Sequence, residues 1–316
     1  MWQRVSGLLL RYLYLYRRSL PRVMGVVFWP VMDLLVWGFI TRWIQQESLS
    51  PIATFLLGSA ILWDVFYSSQ QAITLSVTED IWGRNILNIF LAPIRVSELI
   101  FATCILGALR ALASAGILTI LALLFYDFHL FATGLALAPF VFALLLFGWT
   151  VGMMTMALIL RYGQAAEALI WGIPFLIQPV SAVFYPIGVL PGWLQPISKA
   201  FPSTHVFEGM RTALSTGALD AKALAWAIGL DLIYLAAAGV FFGWMLARVR
   251  EKGYLSRLGM EYVSRLFLRR LQDERLPNVS PVPRVSPRHR HRVFGFRDGG
   301  RRRQHEHEGE GVGEAG

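Results

Sequence analysis

Cysteine is nearly absent. Cys104 is the single one and lies inside an apolar run, so no intrachain disulfide and no cysteine metal cluster can be built. Lysine is scarce as well: Lys199, Lys222 and Lys252 are the only three, and none stands in the G-x-x-x-x-G-K-[ST] setting that cradles nucleotide phosphates. ATP hydrolysis by that route is excluded for this chain. His129 and His205 have no carboxylate and serine at a catalytic spacing, and no apolar run carries a paired His, Ser or Glu constellation, which argues against an intramembrane enzyme. Charge of either sign is thin, at 16% of 316 residues against 55% hydrophobic. That balance leaves more apolar surface than one water-facing core can hide, so lipid is the expected solvent for most of the chain.

What is present is long apolar runs. A helix rises about 1.5 Å per residue and must cross about 30 Å of hydrocarbon, so runs of roughly 20 apolar residues are the units sought. Six occur, near 23–44, 52–74, 98–124, 137–160, 166–188 and 223–247. The expected fold is an all-α integral membrane protein: residues 1–22 as an interfacial amphipathic helix, 23–250 as a six-span domain, and 251–316 as a cytoplasmic, mostly disordered basic tail. Arg4, Arg11, Arg17, Arg18 and Arg22 at one end, and Arg248, Arg250, Lys252 and Arg257 after the sixth run, place both termini in the cytoplasm by the positive-inside rule. Arg42, Lys199, Arg211 and Lys222 fall outside on this scheme. No short apolar core with a small-residue cleavage site follows the first arginines, so a retained N-terminus is expected.

Three segments outside the runs carry information. On a helical wheel of residues 4–22, Arg4, Arg11, Arg18 and Arg22 share a wedge of roughly 40°, opposite Val5, Leu9, Leu13, Tyr16 and Leu20. A helix lying in the head-group layer with its basic edge toward anionic lipid has this pattern, as does a plain positive-inside anchor. From Ser76 to Pro93, polar Glu79, Asp80, Arg84, Asn85 and Asn88 alternate with apolar Ile81, Trp82, Ile86 and Leu87, and Ser76 and Glu79 have capping-box spacing. A short amphipathic helix is expected there, either on the bilayer or in a groove of a soluble partner. Between the fifth and sixth runs, Pro186, Pro191, Pro196 and Pro202 recur too often for one helix, so Phe184–Gly217 is expected as broken, re-entrant pieces at the outer mouth.

At these last two segments the chain resembles the type-2 ABC transporter permeases, the membrane subunits of ATP-driven exporters. The run from Glu79 through Asp80, Ile81, Trp82, Gly83 and Arg84 to Leu87, with Ala92-Pro93, is similar to the family's cytoplasmic loop. The outer residues Phe184-Tyr185-Pro186, Pro191-Gly192-Trp193, Phe201-Pro202 and Glu208-Gly209-Met210-Arg211 are similar to its second signature. The likeness spans roughly residues 10–260. It implies that 77–92 is a coupling helix docking on an ATPase, that ATP and magnesium are bound by that partner with no cofactor on this chain, and that two copies of the permease pair in the inner membrane. It also implies export of a drug-like, lipid or glycan substrate. The tail beyond residue 260 has no counterpart in family members of ordinary length.

Charges inside the runs complete the reading. Asp33, Asp64 and Arg110 lie near mid-span and Asp231 in the outer half of the sixth run; each costs about 2.5–3.5 kcal/mol there unless it faces protein or water. Arg110 is expected to pair with Asp33 or Asp64. Structural ion pairs and a polar lining of the transport route both fit, and these charges keep a secondary transporter or channel open as the alternative function. Gly107, Ala111, Ala115 and Gly116 read as close-packing positions. Residues 251–316 carry 14 Lys/Arg against 9 Asp/Glu and four histidines, enough for loose attraction to anionic lipid or RNA, with no specific nucleic-acid site and no metal geometry expected.

Overall fold

Every regular element among the described residues is helical. The computed structural model describes residues 1–46, 50–83, 85, 94–128 and 137–251. In order, these form α1 (Trp2–Arg17), α2 (Leu20–Gln46), α3 (Ser50–Trp82), α4 (Val96–Tyr126), α5 (Ala138–Tyr162), α6 (Leu169–Val180), α7 (Gln195–Lys199), α8 (Pro202–Thr216) and α9 (Ala221–Glu251). Among the described residues, four stretches are long and apolar enough to cross a membrane: Arg22–Ile44, Val96–Tyr126, Ala138–Tyr162 and Ala221–Val249. The expected second run sits within α3, whose middle is polar and enclosed. The fifth is shortened to the 12-residue α6, with Pro174 and Pro179 inside it.

Local chemistry sets the helix ends. Arg95 is extended at φ −78°, ψ 146°, and its backbone N–H donates to Glu98 Oε2 at 2.9 Å, which starts α4. At the other end Asp127 turns left-handed (φ 53°) and Phe128 N–H reaches back to Ala122 O at 3.2 Å. Pro202 opens α8 at a position that needs no donor, and Gly217 closes it at φ 70°. The four prolines flagged in the outer segment break it as expected, into a 3-10 turn at Ile187–Val189, the five-residue α7, and α8.

The bundle is organised around α3 and α5. Helix α3 packs on α2, α4 and α5, while α9 packs on α5 and α8. Small residues allow the closest approaches. A Cβ on Gly148 would lie 2.9 Å from Phe66 O and 2.9 Å from Ser69 Cβ, and one on Gly107 would lie 3.0 Å from Ser69 O. Gly116, expected to serve the same way, faces open space. One core layer joins Val5, Leu8 and Tyr12 of α1 to Ile73, Val77, Met156 and Phe242; a second stacks Phe66, Phe140, Phe147 and Phe207. A third closes α2 on α3 and α4 through Leu34, Leu57, Ile61 and Leu118. The two ends of α3 are therefore distinct: Gly58 meets Met210 and Leu214 of α8, whereas Asp80 meets α1.

Two expectations about α1 and α3 are overturned. Helix α3 runs unbroken through Ser76 and Glu79 to Trp82, so no helix starts at Ser76; its hydroxyl donates back to Ile73 O at 2.8 Å, as a serine inside a helix does. In α1 the buried stripe is Val5, Leu8 and Tyr12 instead of Val5, Leu9 and Leu13, because the helix packs on the ends of α3 and α4 and not on a flat bilayer surface.

Candidate functional site

The acidic end of α3 is where the flagged residues converge. Asp80 is 4% exposed and receives both Arg11 guanidinium nitrogens, Nη1 at 3.2 Å from Oδ2 and Nη2 against Oδ1. Tyr12 adds its hydroxyl to Oδ2 at 3.2 Å. A bidentate arginine and a phenol together satisfy a carboxylate taken out of water. One residue earlier, Glu79 holds Arg22 Nε at 3.0 Å, and Arg22 Nη1 also donates to Leu15 O at 3.2 Å. At the neighbouring start of α4, Glu98 faces Arg4 at 3.6 Å. Three of the four arginines on the wedge thus turn to carboxylates of the bundle, contrary to the head-group orientation expected of them. The cause is three acidic residues at helix ends within reach of α1 and the start of α2, which accept charge-assisted hydrogen bonds and ion pairs from these arginines.

Electrostatics follow the packing. Burial pushes the Tyr12 phenol above its usual range, and the Asp80 carboxylate beside it adds to the shift. Burial works against the Arg11 guanidinium, but the hydrogen bond and charge of Asp80 outweigh it and hold Arg11 above its ordinary value. Beyond this brace, Ile81 is buried, whereas Trp82 is 47% exposed and Gly83 forms an exposed turn whose N–H donates to Glu79 O at 2.8 Å. Asn85 N–H donates to Asp80 O at 2.9 Å, so the chain folds back over the helix end. Arg84 and Leu87, and with them most of the expected coupling helix, lie outside the described residues.

At the opposite end, Glu208 and Arg211 form a clamp. Arg211 Nη1 bonds Glu208 Oε1 at 3.0 Å, and its Nη2 donates to the carbonyls of Ala182, Val183 and Tyr185. Glu208 Oε1 also accepts the Ile187 N–H at 2.8 Å. The corner they hold has Ala182 at φ 51°, a left-handed conformation costly for a residue with a Cβ. Burial lowers the Arg211 guanidinium from its ordinary value, and Glu208 opposes that shift. Tyr185 donates its hydroxyl to Pro179 O, and Trp37 of α2 stacks on Phe184 at 3.9 Å. Pro186 leads into the 3-10 turn and Pro191 into the turn before α7; Trp193 stays exposed.

The intramembrane charges form no ion pair among the described residues, although Arg110, Asp64 and Asp33 lie near enough to act on one another electrostatically. Arg110 does not pair with Asp33 or Asp64: its Nη1 donates to Tyr16 of α1 at 3.3 Å. Counting residues placed the three at one depth, but an arginine stem is long enough to carry its head toward the α1 end of the bundle. Asp64 accepts from Ser68 at 3.3 Å, and its second oxygen has no partner among the described residues. Asp231 is fully buried in α9, and neither oxygen has a partner there. Asp33 lies exposed on the outer face of α2 with Trp29 and Val36. Tyr12 and Ala182 are the functional positions that sequence reasoning passed over. The i, i+3, i+7 spacing of Val5, Leu8 and Tyr12 was a readable signal for the first, while nothing local marks the second.

The comparisons with known proteins agree with this geometry. No curated protein matches the chain. Residues 8–214 match the ABC-2 type transporter family, an interval that takes in α1 from Leu8 onward, the acidic end of α3 and the Glu208–Arg211 clamp. With four membrane-length apolar helices and a match over more than half its length, the chain belongs to the ABC-2 type transporter family and is a multi-pass membrane permease component of an ABC transporter.

Proposed function

We propose that the chain is the permease of an ATP-driven exporter that works as two copies with two copies of a separate ATPase, which alone binds ATP and magnesium. The observation that carries this is the α3 end: buried Asp80 tied to Arg11 of α1 and partly buried Glu79 tied to Arg22 of α2, with exposed Trp82 and Gly83 just beyond them. A helix end tied to its neighbours, with an apolar side chain offered to solvent, suits force received from a docked soluble subunit. Closure of the ATPases would push the segment following Trp82, and α1 would move with α3 as one piece. In this reading both termini and the α3 end face the cytoplasm, the Glu208–Arg211 clamp faces outward, and α3 and the broken α6 segment are the second and fifth of six spans in the inner membrane.

Asp33 supports pairing of two permeases. A carboxylate on an apolar helix face at mid-span costs about 2.5–3.5 kcal/mol against lipid, so the α2 face bearing Asp33, Trp29 and Val36 calls for protein or water outside this single chain. The substrate is a drug-like, lipid or glycan molecule leaving the cytoplasm. Co-purification with an ATPase and reconstitution of both test the proposal: ATP-dependent transport requires the two together, and strong ATP-dependent transport by this chain alone would refute it. A secondary transporter or channel is the second reading, favoured by Asp231, neither of whose oxygens has a partner among the described residues, and by Asp64, one of whose oxygens has none. Transport driven by an ion gradient with no ATPase present would establish it.

A further inference from the structure

An open groove of about 460 Å³ lies on α1, lined by Arg11, Tyr14, Leu15 and Arg18. Its size falls within the roughly 300–1,000 Å³ of small-ligand sites. Its charge is unbalanced. Arg11 is offset by Asp80 and the nearby Arg22 by Glu79, but neither Arg18 nor its neighbour Arg17 has an ion pair among the described residues. One wall is thus a free guanidinium, and the others are the Tyr14 ring and the Leu15 side chain. This chemistry fits a phosphate monoanion attached to something apolar.

Position supplies the rest. The chain turns at Arg18–Ser19 and enters α2, where Leu20, Met24 and Phe28 are all exposed at i, i+4 and i+8. They form one apolar strip that starts two residues after Arg18 and runs along a membrane-length helix. We propose that the groove binds the phosphate head group of an anionic bilayer phospholipid, with Arg18 on the phosphate, Tyr14 and Leu15 against the glycerol, and an acyl chain along Leu20, Met24 and Phe28. The site depends on the membrane character of the chain and not on the export reading. A bound lipid would wedge the α1–α2 turn beside the Arg11–Asp80 brace, so lipid composition would bear on how firmly α1 is seated.

The test is native mass spectrometry of the full chain in mild detergent, titrated with phosphatidylglycerol or phosphatidylcholine. One phosphatidylglycerol should bind tighter than phosphatidylcholine, and Arg18→Gln should weaken it about fivefold, the effect of one arginine at an anionic surface. Arg17→Gln, which removes an equal charge outside the groove, should weaken it by much less. Equal losses from the two variants would mean diffuse charge attraction and would overturn the groove; equal affinity for the two lipids would do the same. Inorganic phosphate should fail to displace the lipid, since it lacks the chain that lies on α2. Full displacement by inorganic phosphate would make this a soluble-anion site and overturn the lipid assignment.

Discussion

Replacing Arg11 with leucine strands the Asp80 carboxylate in a site that is 4% exposed, with the Tyr12 hydroxyl and a long 3.5 Å contact from the Asn85 amide left to it. Removing one partner of a buried pair costs about 3–5 kcal/mol; because Arg11 keeps 32% of its side chain in solvent, that cost is discounted to about 2–3 kcal/mol. At an unfolding entropy of about 2.1 cal/mol/K per residue over 316 residues, that corresponds to a fall in Tm of about 3–5 °C. Asp80→Asn should be milder, since an amide oxygen still accepts from Tyr12 and Arg11 retains access to water. Arg11→Leu/Asp80→Leu, which removes both charges, should return to within about 1 kcal/mol of wild type, as apolar replacements of buried pairs do. The assay is thermal unfolding in mild detergent, followed by circular dichroism across the full cycle. A coupling below about 0.5 kcal/mol, or single losses that merely add in the double variant, would refute the brace between α1 and α3.

Three further outcomes follow from other parts of the structure. The Tyr12 phenol titrates above the ordinary 10.0, so it stays protonated in the folded chain while the unfolded chain ionises; its contribution is complete below pH 10 and fades as pH rises beyond it. Tyr12→Phe should accordingly reduce the alkaline loss of stability by up to about 1.4 kcal/mol per pH unit, read as Tm from pH 9 to 11 against wild type, and an unchanged slope would contradict the burial of the phenol. Arg211→Ala leaves three backbone carbonyls and Glu208 without their donor, a loss of about 2–4 kcal/mol in unfolding experiments, and Arg211→Lys should recover less than half because an ammonium cannot span the same fork. Gly148→Ala should destabilise by about 1–3 kcal/mol through the clash with Phe66 and Ser69, whereas Gly116→Ala, facing open space, should be neutral or stabilising by up to about 1 kcal/mol.

Apolar length and proline spacing were local signals, and they carried the helical character and the broken outer segment. Pro186, Pro191, Pro196 and Pro202 act through their own rings, so their effect survives any packing. The helix wheel drawn over residues 4–22 was sound for Arg4 and Arg11, but the helix breaks at Arg18–Ser19 and Arg22 belongs to α2, so the expected single helix over 1–22 is two pieces. The wheel also assigned the partner wrongly, because it shows which residues share a face and not what that face meets. Glu79, Asp80 and Glu98 come from elsewhere in the sequence, and only the packing of α3 against α4 sets them beside α1. Arg110 fails for the converse reason. Its depth was counted along one helix, but a side chain several ångströms long chooses among neighbours by reach, and Tyr16 was the one within it.

That difference bears on how the acidic residues act. Were Glu79 and Asp80 free, they would offer charge directly to a partner. Locked as they are to Arg22 and Arg11, their charge is already spent inside the chain, and what faces outward is Trp82. Contact with a soluble subunit at this end would then be made by apolar surface and backbone, and substitutions at Asp80 would weaken coupling by loosening α1 from α3 rather than by removing a contact across the interface. The two routes separate experimentally: the double leucine variant at positions 11 and 80 restores the seat of α1 without restoring charge, so recovery of partner-dependent transport in that variant identifies the acidic pair as a structural tie, and continued loss identifies it as part of the docking surface.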